Sequence, residues 1–330
     1  MFEQAIFTST TTAQAAGYQL TRASAGLTPV ECQALAKISP THESLTPGHY
    51  DFGSVNYWRL PTGRYCLSVT RIAGLDYSGR GESLETRLFV GGADVWERFG
   101  AQPFALVRAI TAKGLLLPEL TAQGPLGRFP LVGRAATWNK SAIELICQIF
   151  TPGELQGLLE ELAANATVVL SNCAAVAGHL GPRPAEICVQ TLFNILPPQL
   201  RAELTFSAGL RLSLARRLRI LAWNQPDPAG LQSWPAGTTL VEFLPERGGW
   251  FKRAERRQCQ PQPLWAEPRG WVRVLQSSVN PTDAQRNLAA LCAAQAWTWE
   301  SLHDAQPPAF AKRPRCQQSS CNSAELVFSP

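Results

Sequence analysis

The feature that most constrains this chain is an alternation of side-chain character between residues 55 and 90, broken by glycine- and proline-bearing turns. Tyr65, Leu67 and Val69 alternate with Cys66, Ser68 and Thr70, and a period of two sends one set to a core and the other to the opposite face. The pattern predicts a half-buried strand over Tyr65 to Ile72. Val55 to Leu60 precedes it across Pro61-Thr62-Gly63-Arg64, so the two segments read as an antiparallel hairpin. Leu84 to Val90 follows as another strand, beyond the loop Asp76-Tyr77-Ser78-Gly79-Arg80-Gly81. Residues 2 to 9 and Gly17 to Leu20 add a strand, a turn and a second strand, which makes the sheet mostly antiparallel.

Elsewhere the period changes. Thr28-Pro29-Val30-Glu31 and Thr151-Pro152-Gly153-Glu154 each set a hydroxyl at the N-cap, proline at the first helical position and glutamate at the third. That arrangement satisfies two otherwise orphaned backbone donors and starts a helix. The first helix should reach about Ile38, and the second carries the stripe Leu155, Leu158, Leu159 and Leu162. Ala166 to Leu170 reads as a buried strand, Ala185 to Leu196 as a helix, and Leu218 to Trp223 as a strand. Phe104 to Ile110 fits either helix or buried strand. Pro281 to Gln285 opens a further helix toward Leu302.

The expected fold is therefore α+β: a mostly antiparallel N-terminal sheet domain over residues 1–117, followed by an α/β-like second domain over residues 135–304. Residues 118–134, interrupted by Pro118, Gly124-Pro125, Gly127, Pro130 and Gly133, are expected to link the two. Residues 305–330 are expected to form a flexible tail.

Composition narrows the function classes. Of 330 residues 45% are hydrophobic and 17% charged, which argues against a disordered chain, and no apolar run is long enough to span a bilayer. No membrane partner is expected. The N-terminus does not read as a secretory signal, so a cytoplasmic location is expected. The nine cysteines mostly sit in apolar segments, as reduced buried thiols do. Cys316 and Cys321 lack metal-ligand spacing, and His42 and His49 read as solvated loop histidines, so neither a metal nor a cofactor is expected.

The sequence carries no G-x-x-x-x-G-K-[ST] phosphate loop, H-E-x-x-H, G-x-S-x-G or paired C-x-x-C clusters. Cys173 and His179 are near one another in sequence without an orienting group, and no enzymatic activity is expected. What remains is surface chemistry. Arg71, Asp76, Ser78 and Arg80 could form a polar recognition surface for a partner protein or a small anion, against the alternative of an ordinary solvated loop. The cations are 25 Arg against 5 Lys, a bias toward planar contacts with carboxylates and phosphates. Five arginines against Glu203 fall between residues 201 and 219, with Arg201, Arg211 and Arg219 as candidate anion-binding residues. A second basic stretch, 247–257, is interleaved with Trp250 and Phe251. Together these stretches support a nucleic-acid-binding module as the alternative function, although at a net charge of +5 solvated basic faces are the preferred reading.

Two parts of the chain resemble one family. Phe2 to Ser9, Gly17 to Leu20 and Asp76 to Gly81 are similar to the N-terminal type 2 domain of bacterial GTPase-associated proteins. Leu196-Pro197, Arg201, Glu203 to Leu210 and Arg219 resemble that family's middle domain, in the same order along the chain. The resemblance covers residues 1 to about 225. It implies a non-catalytic interaction or regulatory module that acts beside a separately encoded GTPase in a bacterial signalling or conflict system.

Overall fold

A computed structural model describes residues 1–11, 16–49, 53–79, 81–117, 124–135, 144–146, 149–164, 167–226 and 237–243, with isolated positions 272, 275, 286, 289, 292 and 298. The expected tail, the basic stretch 247–257, Arg80, Cys316 and Cys321 lie outside the described residues.

The first half comprises β1 (Glu3–Thr11), β2 (Ala16–Ala23), α1 (Pro29–Ile38), β3 (Ser54–Arg59), β4 (Tyr65–Leu75), β5 (Glu82–Gly91), α2 (Ala93–Arg98) and α3 (Pro103–Ala112). There follow α4 (Pro152–Ala163), β6 (Thr167–Ser171), α5 (Cys173–Ala177), α6 (Pro184–Ile195), α7 (Pro198–Glu203), β7 (Phe206–Ala208), β8 (Ile220–Ala222) and β9 (Thr238–Glu242). The expected capping boxes form at both α1 and α4, with Thr28 and Glu31, and Thr151 and Glu154, exchanging side-chain and backbone hydrogen bonds. Phe104 to Ile110 resolves as helix, its buried Leu106 and Ile110 falling four residues apart on one face.

Among the described residues the strands form one sheet in the order β2-β1-β5-β4-β3-β7-β8-β6-β9. The expected hairpin is present as β3 and β4, from Ser54 opposite Thr70 to Arg59 opposite Tyr65. Pairing is antiparallel from β2 through to β7 and parallel from β7 to β9, so an α+β arrangement with an antiparallel N-terminal half and an α/β-like second half holds. Beta3 would otherwise be an open edge. It is covered by β7, with Val55, Asn56 and Tyr57 opposite Ala208, Ser207 and Phe206.

This seam gives the two halves common cores on both faces. On one face Tyr57, Leu67 and Phe89 pack with Val168, Phe206 and Ile220 beneath α2, α3, α4, α6 and α7. On the other, Trp58, Cys66 and Leu88 share a cluster with Val169, Leu221 and Leu35 of α1. The alternation in β4 thus has the expected parity, but Cys66, Ser68 and Thr70 are buried as well. The strand is covered on both faces, because α1 and the loops of the second half close the side expected to face water.

Residues 124–131, part of the expected linker, are tied back onto the first half. Phe2 bridges Phe129, and Ser24 bridges Leu126. The hydrogen-bonded junction between the halves lies at β3 and β7.

Candidate functional site

The loop after β4 is built by its own hydrogen bonds. Register slips between Ile72 and Leu75, where Leu75 comes to face Glu82. The Asp76 amide donates to the Gly81 carbonyl at 2.8 Å and the Gly79 amide to the Asp76 carbonyl at 3.0 Å. The Asp76 carboxylate accepts the Ser78 amide at 2.9 Å and its hydroxyl at 2.8 Å, a side-chain turn that substitutes for a backbone one. Gly79, at φ +70°, closes the turn in a conformation that side chains disfavour. The Tyr77 amide also donates to Ser9 Oγ at 3.2 Å, which fixes the loop to β1.

The consequence is an inversion of the polarity expected for such a tip. Asp76 and Ser78 spend hydrogen bonds on each other, whereas Leu75 is 72% and Tyr77 53% exposed. An anchored turn that offers a tyrosine with a leucine beside it suits a protein contact, since tyrosine is among the side chains that carry most interface energy. Sequence reasoning selected the polar residues and passed over these two. The available signal was two large apolar side chains in a loop otherwise made of Gly, Asp, Ser and Arg.

Arg71 is committed elsewhere. Its guanidinium donates to Glu85 at 2.7 Å and to the Leu116 carbonyl at 2.8 Å. Arg87 donates to the same carboxylate at 3.0 Å and to the Leu115 carbonyl at 2.8 Å. Burial pushes the Glu85 carboxyl up, but the Arg87 and Arg71 guanidiniums outweigh it and hold the group below its ordinary range. The three residues pin the segment after α3 to the sheet. Arg71 therefore stands at the base of the loop and Asp76 and Ser78 at its tip.

The three candidate anion-binding arginines are not brought together. Arg201 is fully buried, donating to the Gly100 carbonyl at 2.7 Å and the Asn194 carbonyl at 3.2 Å, and burial lowers its pKa to about 9. Its charge is enclosed in the core, away from any solvent anion. Arg219 is half-buried and donates to the Leu162 carbonyl in the last turn of α4. Arg211 is exposed. It follows the C-terminal end of β7, whereas Arg219 precedes the N-terminal end of β8, and the parallel pairing sets those ends apart. Within 201–219 only Arg211 and Arg217 are exposed arginines, a slighter footprint than the sequence suggested for nucleic acid.

His49 corrects another expectation. It is 2% exposed, with Nδ1 3.2 Å from the Gly53 carbonyl and Nε2 accepting the Asn224 amide at 3.3 Å. Asn224 in turn donates through Nδ2 to the Gly48 carbonyl at 3.0 Å and accepts the Ala185 amide at 2.9 Å. Burial lowers the His49 pKa to about 4; the Gly53 contact opposes this and Arg183 reinforces it. These contacts lie just past the carboxyl end of β8, the region where open α/β sheets hold ligands. Here it is occupied by the protein itself, because the Asn172, Cys173 and Ala174 amides also bond the carbonyls of Gln225, Trp223 and Asn224.

Among the described residues, no group of three or more His, Cys, Asp or Glu could hold a metal ion, and no helix is long and apolar enough to cross a membrane. No match to a curated protein is found. Residues 1–123, which contain β1 to β5, α1 to α3 and the Leu75–Tyr77 loop, match the family model described as GTPase-associated protein 1, N-terminal domain type 2.

Proposed function

We propose that the protein is a non-catalytic interaction module that acts beside a separately encoded GTPase, with a regulatory role in a bacterial signalling or conflict system. The observation that carries this reading is the anchored loop within the matched segment, which presents Leu75 and Tyr77 to solvent on a turn fixed by Asp76, Ser78 and Gly79. The description of the matching domain supports a GTPase as the partner class. In this reading Leu75 and Tyr77 are the apolar centre of the contact, and Arg71, Asp76, Ser78 and Arg80 contribute polar contacts to the partner.

The test is co-elution of the full chain with a GTPase encoded in a neighbouring gene, in the GDP-bound and the GTP-bound form. A stable complex with at least one form is expected. Arg71→Ala and Arg80→Ala should weaken it by less than Tyr77→Ser does, because such charged contacts contribute about 0 to 1 kcal/mol each. Failure to associate with either nucleotide form would remove this reading.

A further inference from the structure

The segment between β7 and β8 carries a second exposed feature that the loop after β4 does not explain. Its leucines begin as a series that covers the sheet: Leu210 and Leu218 are buried and Leu212 is partly buried in the same cluster. Leu214 interrupts the series, standing 81% exposed at the tip of a tight turn. The turn is closed by the Arg216 amide donating to the Ser213 carbonyl at 3.0 Å and the Ala215 amide to Ser213 Oγ at 3.3 Å. Arg216 is buried beneath it and donates to the Arg211 carbonyl at 3.3 Å. Arg211 and Arg217, on either side of the tip, are exposed, and among the described residues neither takes part in an ion pair.

Although the composition led to the expectation of no membrane partner, we propose that this turn is a peripheral contact for the surface of an anionic phospholipid bilayer, with Leu214 entering the interface and Arg211 and Arg217 meeting lipid phosphates. Charge and shape together select this occupant. Two unneutralised guanidiniums favour a phosphate-bearing surface, to which each presents a planar set of donors. A single leucine on a convex turn is far from the roughly 800 Å² per partner that a stable protein interface uses. A bilayer accepts one inserted side chain without a matching pocket, and this requires no membrane-spanning helix. One apolar side chain and two cations give weak, reversible binding, half-maximal at accessible lipid on the order of millimolar. Such a contact would concentrate the protein at a membrane when a second attachment supplies avidity.

The test is sedimentation of the full chain with vesicles made of equal parts phosphatidylglycerol and phosphatidylcholine, against vesicles of phosphatidylcholine alone, at low salt. Binding is expected to the anionic vesicles only. Leu214→Ser and the double variant Arg211→Ala, Arg217→Ala should each weaken it about tenfold or more, with circular dichroism unchanged because all three side chains are exposed. Arg108→Ala, at an exposed arginine on α3, should leave binding within a factor of about two. Absence of binding by the unaltered protein, retention of binding in the turn variants, or equal loss in Arg108→Ala would each overturn the proposal. So would equally tight binding to poly-L-glutamate, which would identify an acidic protein surface as the occupant.

Discussion

Asn56 on β3 and Ser207 on β7 are joined by a hydrogen bond of 2.5 Å from the Ser207 hydroxyl to Asn56 Oδ1, directly across the seam between the two halves. Asn56 Nδ2 also donates to Ser54 Oγ at 3.0 Å and Ser68 Oγ at 3.1 Å. All four residues are fully buried. Replacing Asn56 by alanine strips partners from three hydroxyls, and the predicted cost is about 2 to 3 kcal/mol. Urea unfolding should show the midpoint fall with an unchanged slope and one transition, since the sheet and both cores cross the seam. Two separated transitions in the unaltered protein would contradict that shared core.

His49 makes stability depend on pH in a definite direction. Its folded pKa of about 4 lies below the ordinary histidine value of 6.5, so between those values the unfolded chain binds a proton that the folded one does not. The contribution is fully present above about pH 6.5 and is lost as pH falls toward 4, by roughly 3 kcal/mol at most. The physical reason is burial, which disfavours the charged imidazolium; the Gly53 carbonyl opposes this and the Arg183 charge reinforces it. Burial raises the Glu186 carboxyl pKa, and the Arg183 guanidinium lowers it less; that group contributes in the opposite sense, which makes a difference measurement necessary. The loss of unfolding free energy between pH 7 and pH 5 should be smaller in His49→Gln than in the unaltered protein. Equal losses would show that His49 is not the group responsible.

Much of the antiparallel half was legible because its determinants are local. The Pro61-Thr62-Gly63-Arg64 turn and the alternation beside it fix a hairpin, and the capping boxes at Thr28 and Thr151 fix helix starts whatever surrounds them. The seam was not legible. It pairs three residues of β3 with three of β7 across about 150 positions, and neither Ser207 nor Asn56 carries a mark of that pairing in its own segment. The burial of Ser68, Thr70 and His49 follows from the same long-range closure. At the candidate site, the turn-forming role of Asp76, Ser78 and Gly79 is a short-range property of those residue types. The exposure of Leu75 depends on a register slip that no local pattern announces.

Arg201 offers a test of a residue whose charge the sequence assigned to the surface. Its guanidinium is enclosed in the core and donates to the Gly100 and Asn194 carbonyls. Arg201→Ala removes these donors and leaves a void, with a predicted loss of about 3 kcal/mol or more. Arg211→Ala, at an exposed position, should change stability by less than about 0.5 kcal/mol. Thermal unfolding of the two variants side by side checks the contrast. Similar small shifts in both would place Arg201 at the surface.

The most direct test is a calorimetric titration of the GTPase proposed as partner into the unaltered protein and into the double variant Leu75→Ser, Tyr77→Ser. Both side chains are more than half exposed, so the variant should keep its unfolding midpoint. In the double variant Kd should rise at least about a hundredfold, corresponding to about 3 kcal/mol from the two side chains. An unchanged Kd in the folded double variant would contradict the assignment of this loop as the contact surface.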